Sequence, residues 1–157
     1  MKKVNIVHIL TLMVDNEFGV LTRITAQIRR EGWNIKTLAV AECVDSSISR
    51  ITLSLECFDA TLPQVIHRLS RLACVRSVSA YEPGSQLCRE LAVVKLPALS
   101  ESIQALADEY QARVIVSSDA TSVLELTASP AVLDEFLFKL KEIGMTDVVR
   151  TGPIILQ

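Results

Sequence analysis

The chain has 157 residues, 50% of them apolar and 22% charged, with a mean hydropathy of +0.36; this composition excludes a disordered tail and supports a real core. Sixteen Lys and Arg against eighteen Asp and Glu leave a net charge of -2 and a pI near 5.7, which argues against a nucleic-acid or anionic-membrane partner. The length fits one ordinary domain or two small ones, and units of about 80 residues bury only about 60% of their unfolded surface and so benefit from partners.

Lys2 and Lys3 ahead of the apolar stretch Val4 to Val14 imitate a signal peptide, but Asn5 and His8 interrupt it and no small-residue cleavage site follows. Val4, Ile6, His8, Leu10 and Leu12 fall on one face of an extended segment and Val7, Ile9 and Met13 on the other, which predicts a strand covered on both sides. Asp15 to Gly19 breaks the pattern, and Val20, Leu21, Ile24 and Ile28 then recur at helical spacing until Gly32.

Asn34 to Cys43 and Ile48 to Cys57 read as strands joined by Asp45, Ser46 and Ser47. An amphipathic helix follows through Leu62, Val65, Ile66, Leu69 and Leu72, then a short strand through Val75, Val78 and Tyr81. Pro83, Gly84 and Ser85 punctuate the chain and the rhythm restarts. The second copy runs through a strand at Leu91 to Leu96, a helix at Ile103 to Tyr110, and strands at Val114 to Val116 and Val123 to Thr127. It ends with a helix from Pro130 to Gly144 and a closing strand at Val148 and Val149. The expected fold is therefore α+β: two ferredoxin-like βαββαβ domains, residues 1–83 and 84–157. Right-handed crossovers put both helices of such a unit on one face of its sheet. Because the first strand is apolar on both sides, the other face of the first sheet is expected to be partly covered as well.

Between the first strand and the first helix, backbone N–H groups and the helix dipole favour an anion such as a carboxylate. Gly19 allows close approach and Asn16 offers both a donor and an acceptor, a fit for a small amino acid. The alternative is that Asn16 caps the helix and Gly19 forms a turn. Asn34, opening the second strand, is likewise either satisfied by backbone or available to a ligand.

An RNA-recognition module shares the βαββαβ order but needs stacking aromatics where this chain reads Arg50, Ile51, Thr52, Leu53, Ser54, Leu55. The sequence has no GxSxG, HExxH or Walker loop, and His8 and His67 read as structural. The four cysteines contain no CxxC pair and lie apart from the histidines, so no metal site is expected. Thiols that read as buried and reduced, without an apolar run of the ~18 residues needed to span a bilayer, point to the cytoplasm.

The segments Asp15 to Leu21 (DNEFGVL), Arg23, Gly32 to Leu38 (GWNIKTL), Ser49 to Thr52 (SRIT), Arg89 to Lys95 (RELAVVK) and Arg150 to Gly152 (RTG) resemble, in order and spacing, the small regulatory subunits of acetohydroxyacid synthase, also called acetolactate synthase. The resemblance covers nearly the whole chain and identifies the first half as an ACT domain, an amino-acid sensor. It implies a chain without catalysis or cofactors of its own. Such a chain binds a catalytic subunit that carries thiamine diphosphate, FAD and Mg, activates it, and confers feedback inhibition by a branched-chain amino acid, usually valine.

The resemblance also implies a homodimer through the ACT domains, with the effector at that interface. It carries over Asn16, Gly19 and Val20 from the loop and helix start, and Asn34 and Ile35 from the facing strand, as effector-binding residues. Phe18 departs from the family, which commonly has a smaller residue or proline there, and Thr127, Ala128 and Ser129 replace a stretch that usually holds a glycine. An ACT-domain sensor serving another enzyme or a transcription factor is the alternative, and the second half discriminates, since such a sensor has no reason to keep the Arg89 to Lys95 and Arg150 to Gly152 patterns.

Overall fold

The computed structural model describes residues 6–81 and 87–156. The chain divides into two compact units, Met1–Ser85 and Gln86–Gln157. The expected boundary at 83/84, with Pro83, Gly84 and Ser85, lies outside the described residues.

The first unit contains β1 (Ile6–Asp15), α1 (Val20–Arg30), β2 (Asn34–Glu42), β3 (Ile48–Cys57), α2 (Leu62–Ser70) and β4 (Val75–Tyr81). Its antiparallel sheet has the order β2-β3-β1-β4, with β2 at an edge. A short 3-10 turn, Asp59–Thr61, leads into α2 and was not legible in the hydrophobic pattern. Strand alternation sends Leu10, Leu12 and Val14 of β1 and Ile51, Leu53 and Leu55 of β3 to the same side as Val20, Ile24 and Ile28 of α1 and Val65 and Leu69 of α2, forming one buried core. Each such leucine or isoleucine contributes about 1.5–3 kcal/mol through burial. On the opposite face Ile9, Thr11, Thr52 and Ser54 are buried too, as the two-sided pattern of β1 predicts.

The second unit repeats the plan: β5 (Cys88–Pro97), α3 (Glu101–Tyr110), β6 (Arg113–Ser117), β7 (Thr121–Ala128), α4 (Pro130–Ile143) and β8 (Asp147–Arg150). Strand order β6-β7-β5-β8 reproduces that of the first sheet. The expected βαββαβ order thus appears twice. Ala92, Val94, Leu96, Leu124 and Leu126 meet Ile103, Ala107, Leu133, Phe136 and Leu140 in a second core. Both helices are capped by sequence chemistry: Ser100 Oγ accepts from the Ile103 N–H at 3.3 Å and Ser129 Oγ from the Val132 N–H at 3.4 Å. Gly144, at φ 106°, ends α4, whereas α3 ends on Gln111 at φ 57°, a left-handed conformation without a glycine to mark it.

One strand is additional. Gly152, at φ 78°, turns the chain after β8 so that β9 (Ile154–Ile155) pairs with Cys88 and Arg89 of β5. No described helix is long and apolar enough to cross a membrane.

Candidate functional site

At one end of the first sheet the loop after β1 is tied to the β2–β3 turn. The Asn16 N–H donates to Ser47 O at 2.8 Å, its Nδ2 donates to Ser46 O at 2.8 Å and to Glu42 Oε2 at 3.2 Å, and its Oδ1 accepts from Ser49 Oγ at 2.9 Å. Asn16 therefore does not cap α1; its amide spans the hairpin, with both amide protons engaged. Asp15 fixes the loop from the other side, its carboxylate accepting from Arg76 Nε at 2.7 Å and its N–H donating to Cys74 O at 2.9 Å. Within the turn, Asp45 Oδ1 accepts from Ser47 Oγ at 2.7 Å and from the Ser47 N–H at 2.9 Å, and these bonds hold its carboxyl below the usual carboxylate range.

Gly19 occupies the position just before α1 at φ 80°, where an L side chain is strained, and no side chain caps the helix there. The first turn of α1 carries no acidic residue. Its start thus combines a positive dipole end with backbone donors, of which the Val20 N–H is already engaged by Glu17 O at 3.3 Å. The Val20 side chain lies in the core at 3% exposure, away from the loop surface. Phe18 projects fully into solvent from the loop, as Val44 does from the neighbouring turn.

Asn34 and Ile35 lie elsewhere. β2 runs from Asn34, opposite Glu56, to Glu42, opposite Ser49. Eight residues of strand at about 3.3 Å each put Asn34 roughly 26 Å from the loop end. One protomer therefore groups Asn16, Gly19 and Val20 at one end of the sheet and places Asn34 and Ile35 at the other. Asn34 is exposed and Ile35 half-buried against the core, so the question of how a buried Asn34 amide is satisfied does not arise.

The sequence reading missed Glu42, Ser46 and Ser49 as partners of Asn16. Turn residues at 45–47 signalled a bend, but nothing in a linear pattern says which loop the bend meets. His8 is buried on the helix side of β1, its Nε2 3.3 Å from Asp59 Oδ1 without hydrogen-bond geometry; His67 lies on the exposed side of α2.

In the second unit the segments read as RELAVVK and RTG meet. Arg150 donates from Nε and Nη2 to the two carboxylate oxygens of Glu90, each at 2.8 Å, and from Nη1 to Asp134 Oδ1 of α4 at 2.6 Å. The Glu90 hydrogen bonds, more than that to Asp134, raise the Arg150 pKa further. The Thr151 N–H donates to Leu91 O and its Oγ1 accepts from the Leu91 N–H, both at 3.1 Å, before Gly152 turns the chain.

Comparison with known proteins covers both units. A family model described as the AHAS small subunit-like ACT domain matches residues 10–77, and one for the small subunit of acetolactate synthase matches residues 89–157. A Methanothermobacter thermautotrophicus protein named "Probable acetolactate synthase small subunit" is 34% identical, over 93% of this chain and 89% of its own. The acetolactate synthase small subunit of Aquifex aeolicus is 30% identical, over 96% and 80% respectively. In fold, the crystal structure of the Thermotoga maritima acetolactate synthase small subunit superposes with a TM-score of 0.84 over 96% of each chain, at 22% identity. The two matched units, in this order and over nearly the full length of these relatives, place the chain in the acetolactate synthase small subunit family.

Proposed function

We propose that this chain docks on the catalytic subunit of acetolactate synthase, raises its activity and makes it sensitive to a branched-chain amino acid, with valine the first candidate. The observation that carries this reading is the split site: Asn16 and Gly19 at one end of the first sheet, Asn34 at the far end of its edge strand β2. An edge strand can pair with a second copy of itself. An antiparallel β2–β2 contact about a two-fold axis sets Asn34 and Ile35 of one protomer beside Glu42 and the Asn16–Gly19 loop of the other, so a homodimer through this edge completes two sites.

Each completed site suits a free amino acid. The start of α1 takes the carboxylate. The exposed Glu42 carboxylate, beside Asn16, takes the ammonium, and the apolar side of Ile35 takes a branched side chain. Asn16 acts by holding the loop against the hairpin. Inhibition then works by population shift: the effector binds more tightly to the dimer arrangement in which the catalytic subunit is less active. Thiamine diphosphate, FAD and Mg belong to the catalytic subunit on this reading, and the assembly works in the cytoplasm.

Reciprocity supplies the test. Valine affinity, titrated by calorimetry with and without saturating catalytic subunit, differs between the two titrations by the same factor as catalytic-subunit affinity with and without valine. Equal valine affinities in both titrations overturn the coupling.

A further inference from the structure

The helix layers of the two units differ in charge. Residues 1–85 hold ten Lys and Arg against eight Asp and Glu, and residues 86–157 six against ten. In the first unit the bias sits on the helices: α1 and α2 contain no acidic residue, while Arg23, Arg29, Arg30, Arg68 and, just past α2, Arg71 are all exposed. Arg23 and Arg30, two helical turns apart, form one line on α1. They lie on the flank where Gln27 Nε2 donates to Glu31 Oε1 at 2.9 Å and Glu31 meets Arg68 Nε of α2 at 3.6 Å. Arg68 and Arg71 share one flank of α2 by their i, i+3 spacing, whereas Arg29 points to the opposite flank of α1.

We infer that the arginine-lined face where α1 meets α2 docks an acidic surface of the catalytic subunit, an assignment that rests on the regulatory role proposed above. Three observations select that occupant. The first is unmatched charge: among the described residues Glu31 is the one carboxylate these side chains meet, and Arg23, Arg30 and Arg71 have none within ion-pair distance. Clustered like charges repel one another in the free chain, and an acidic surface brought against them relieves that repulsion and steers the encounter. Guanidinium groups also fork onto carboxylates with two parallel hydrogen bonds.

The second is the state of the chain's own acids. Of the six on α3 and α4, Glu109 and Glu135 are paired with Lys139 and Asp134 with Arg150, and Lys141 adds a further cation. Another copy of the chain therefore offers these arginines a mixed surface rather than an acidic one. The third is the β2–β2 pairing proposed above. An antiparallel edge contact has its two-fold axis perpendicular to the sheet, which sets α1 and α2 of both protomers on the same side. The dimer then presents two arginine clusters on one side, and the pairing leaves them open because it uses the strand edge rather than the helices.

Adjacent residues supply the test, in the full-length chain with the matched catalytic subunit. Arg29 and Arg30 both lie in the last turn of α1, so Arg29→Glu and Arg30→Glu change the net charge and the helix-dipole energy alike and differ in the direction of the side chain. The concentration of chain giving half-maximal activation of acetolactate formation is measured at about 50 and about 300 mM salt, which shortens the screening length roughly 2.5-fold. Wild type is expected to need more chain at the higher salt. Arg30→Glu and Arg71→Glu are each expected to raise the requirement about tenfold at the lower salt and to lessen its salt dependence, with Arg29→Glu within about twofold of wild type and far-UV circular dichroism unchanged in all three. Activation by either Arg30→Glu or Arg71→Glu at the wild-type concentration overturns the assignment, as does an equal weakening by Arg29→Glu. Assembly of the wild-type chain beyond a dimer at low salt, abolished by Arg30→Glu in sedimentation velocity, gives the face to α3 and α4 of another copy and overturns it too. A wild-type chain that never raises the rate removes the regulatory role itself, and the docking face with it.

Discussion

Arg150 grips Glu90 with two parallel hydrogen bonds of 2.8 Å across sixty residues of sequence. The carboxylate side chain is 2% exposed and the guanidinium 33%, so the pair joins β8 to β5 at the rim of the second core while Asp134 ties it to α4. Arg150→Ala leaves a buried carboxylate without its counter-charge, and urea unfolding is expected to show a loss of about 3 kcal/mol, the low end for a buried pair because the arginine keeps some solvent. Arg150→Lys keeps the charge but not the fork and falls between. A loss below about 0.5 kcal/mol for Arg150→Ala, the size of an exposed pair, contradicts this account.

The loop and the helix start are expected to respond differently to substitution. Asn16→Ala removes the bonds to Ser46, Glu42 and Ser49 and costs about 1–2 kcal/mol in unfolding experiments, with weaker effector inhibition because the loop is no longer held. Gly19→Asp meets no clash, since a Cβ built there has nothing within 4 Å, but adopts a strained φ of +80° and sets a negative charge where a carboxylate would bind. Feedback inhibition is expected to vanish while activation of the catalytic subunit persists. Gly19→Ala, with the same strain and no charge, is the control: equal loss of inhibition in both variants assigns the effect to strain rather than charge.

The Asp45 carboxyl, held below the usual range by Ser47 Oγ and N–H, gives the β2–β3 turn an acid dependence. Because its folded pKa is lowered, the stabilisation is present above the unfolded value of about 3.9 and is lost as pH falls through the folded one. NMR titration of Asp45 should give a midpoint below that of a model peptide, and Asp45→Asn should remove the acid-side loosening of the Ser46 and Ser47 amides. A midpoint at the model value removes the claimed link.

Periodicity made most of the architecture legible. Clean alternation in β3 and helical spacing at Val20, Ile24 and Ile28 are local signals, and the glycines at 19, 32 and 144, all at positive φ, punctuated the elements where expected. What stayed hidden was non-local or too short. β9 has two residues, below the length at which a strand pattern is readable, and the 3-10 turn at 59–61 has no apolar face. The partners of Asn16 and the Glu90–Arg150 pair connect residues about thirty and sixty positions apart, which a linear pattern cannot place together. Resemblance named Asn34 as a companion of Asn16, but only the β2 register shows that a single protomer keeps them apart.

Gln111 ends α3 in a left-handed conformation at φ 57°, a position where glycine is the usual residue. Gln111→Gly is expected to relieve the strain and raise stability by about 0.5–1 kcal/mol in denaturant unfolding, the net after glycine's extra unfolded-state entropy. A destabilisation of similar size shows instead that the Gln111 side chain makes a contact worth more than the strain.

The most direct test of the regulatory role is acetolactate formation by the purified matched catalytic subunit, with and without this chain, across added valine, leucine and isoleucine. Addition of the chain is expected to raise the rate, and one of the three amino acids, valine first, to reduce it again only when the chain is present. An unchanged rate on addition of the chain, under conditions where the catalytic subunit is folded and active, contradicts the account.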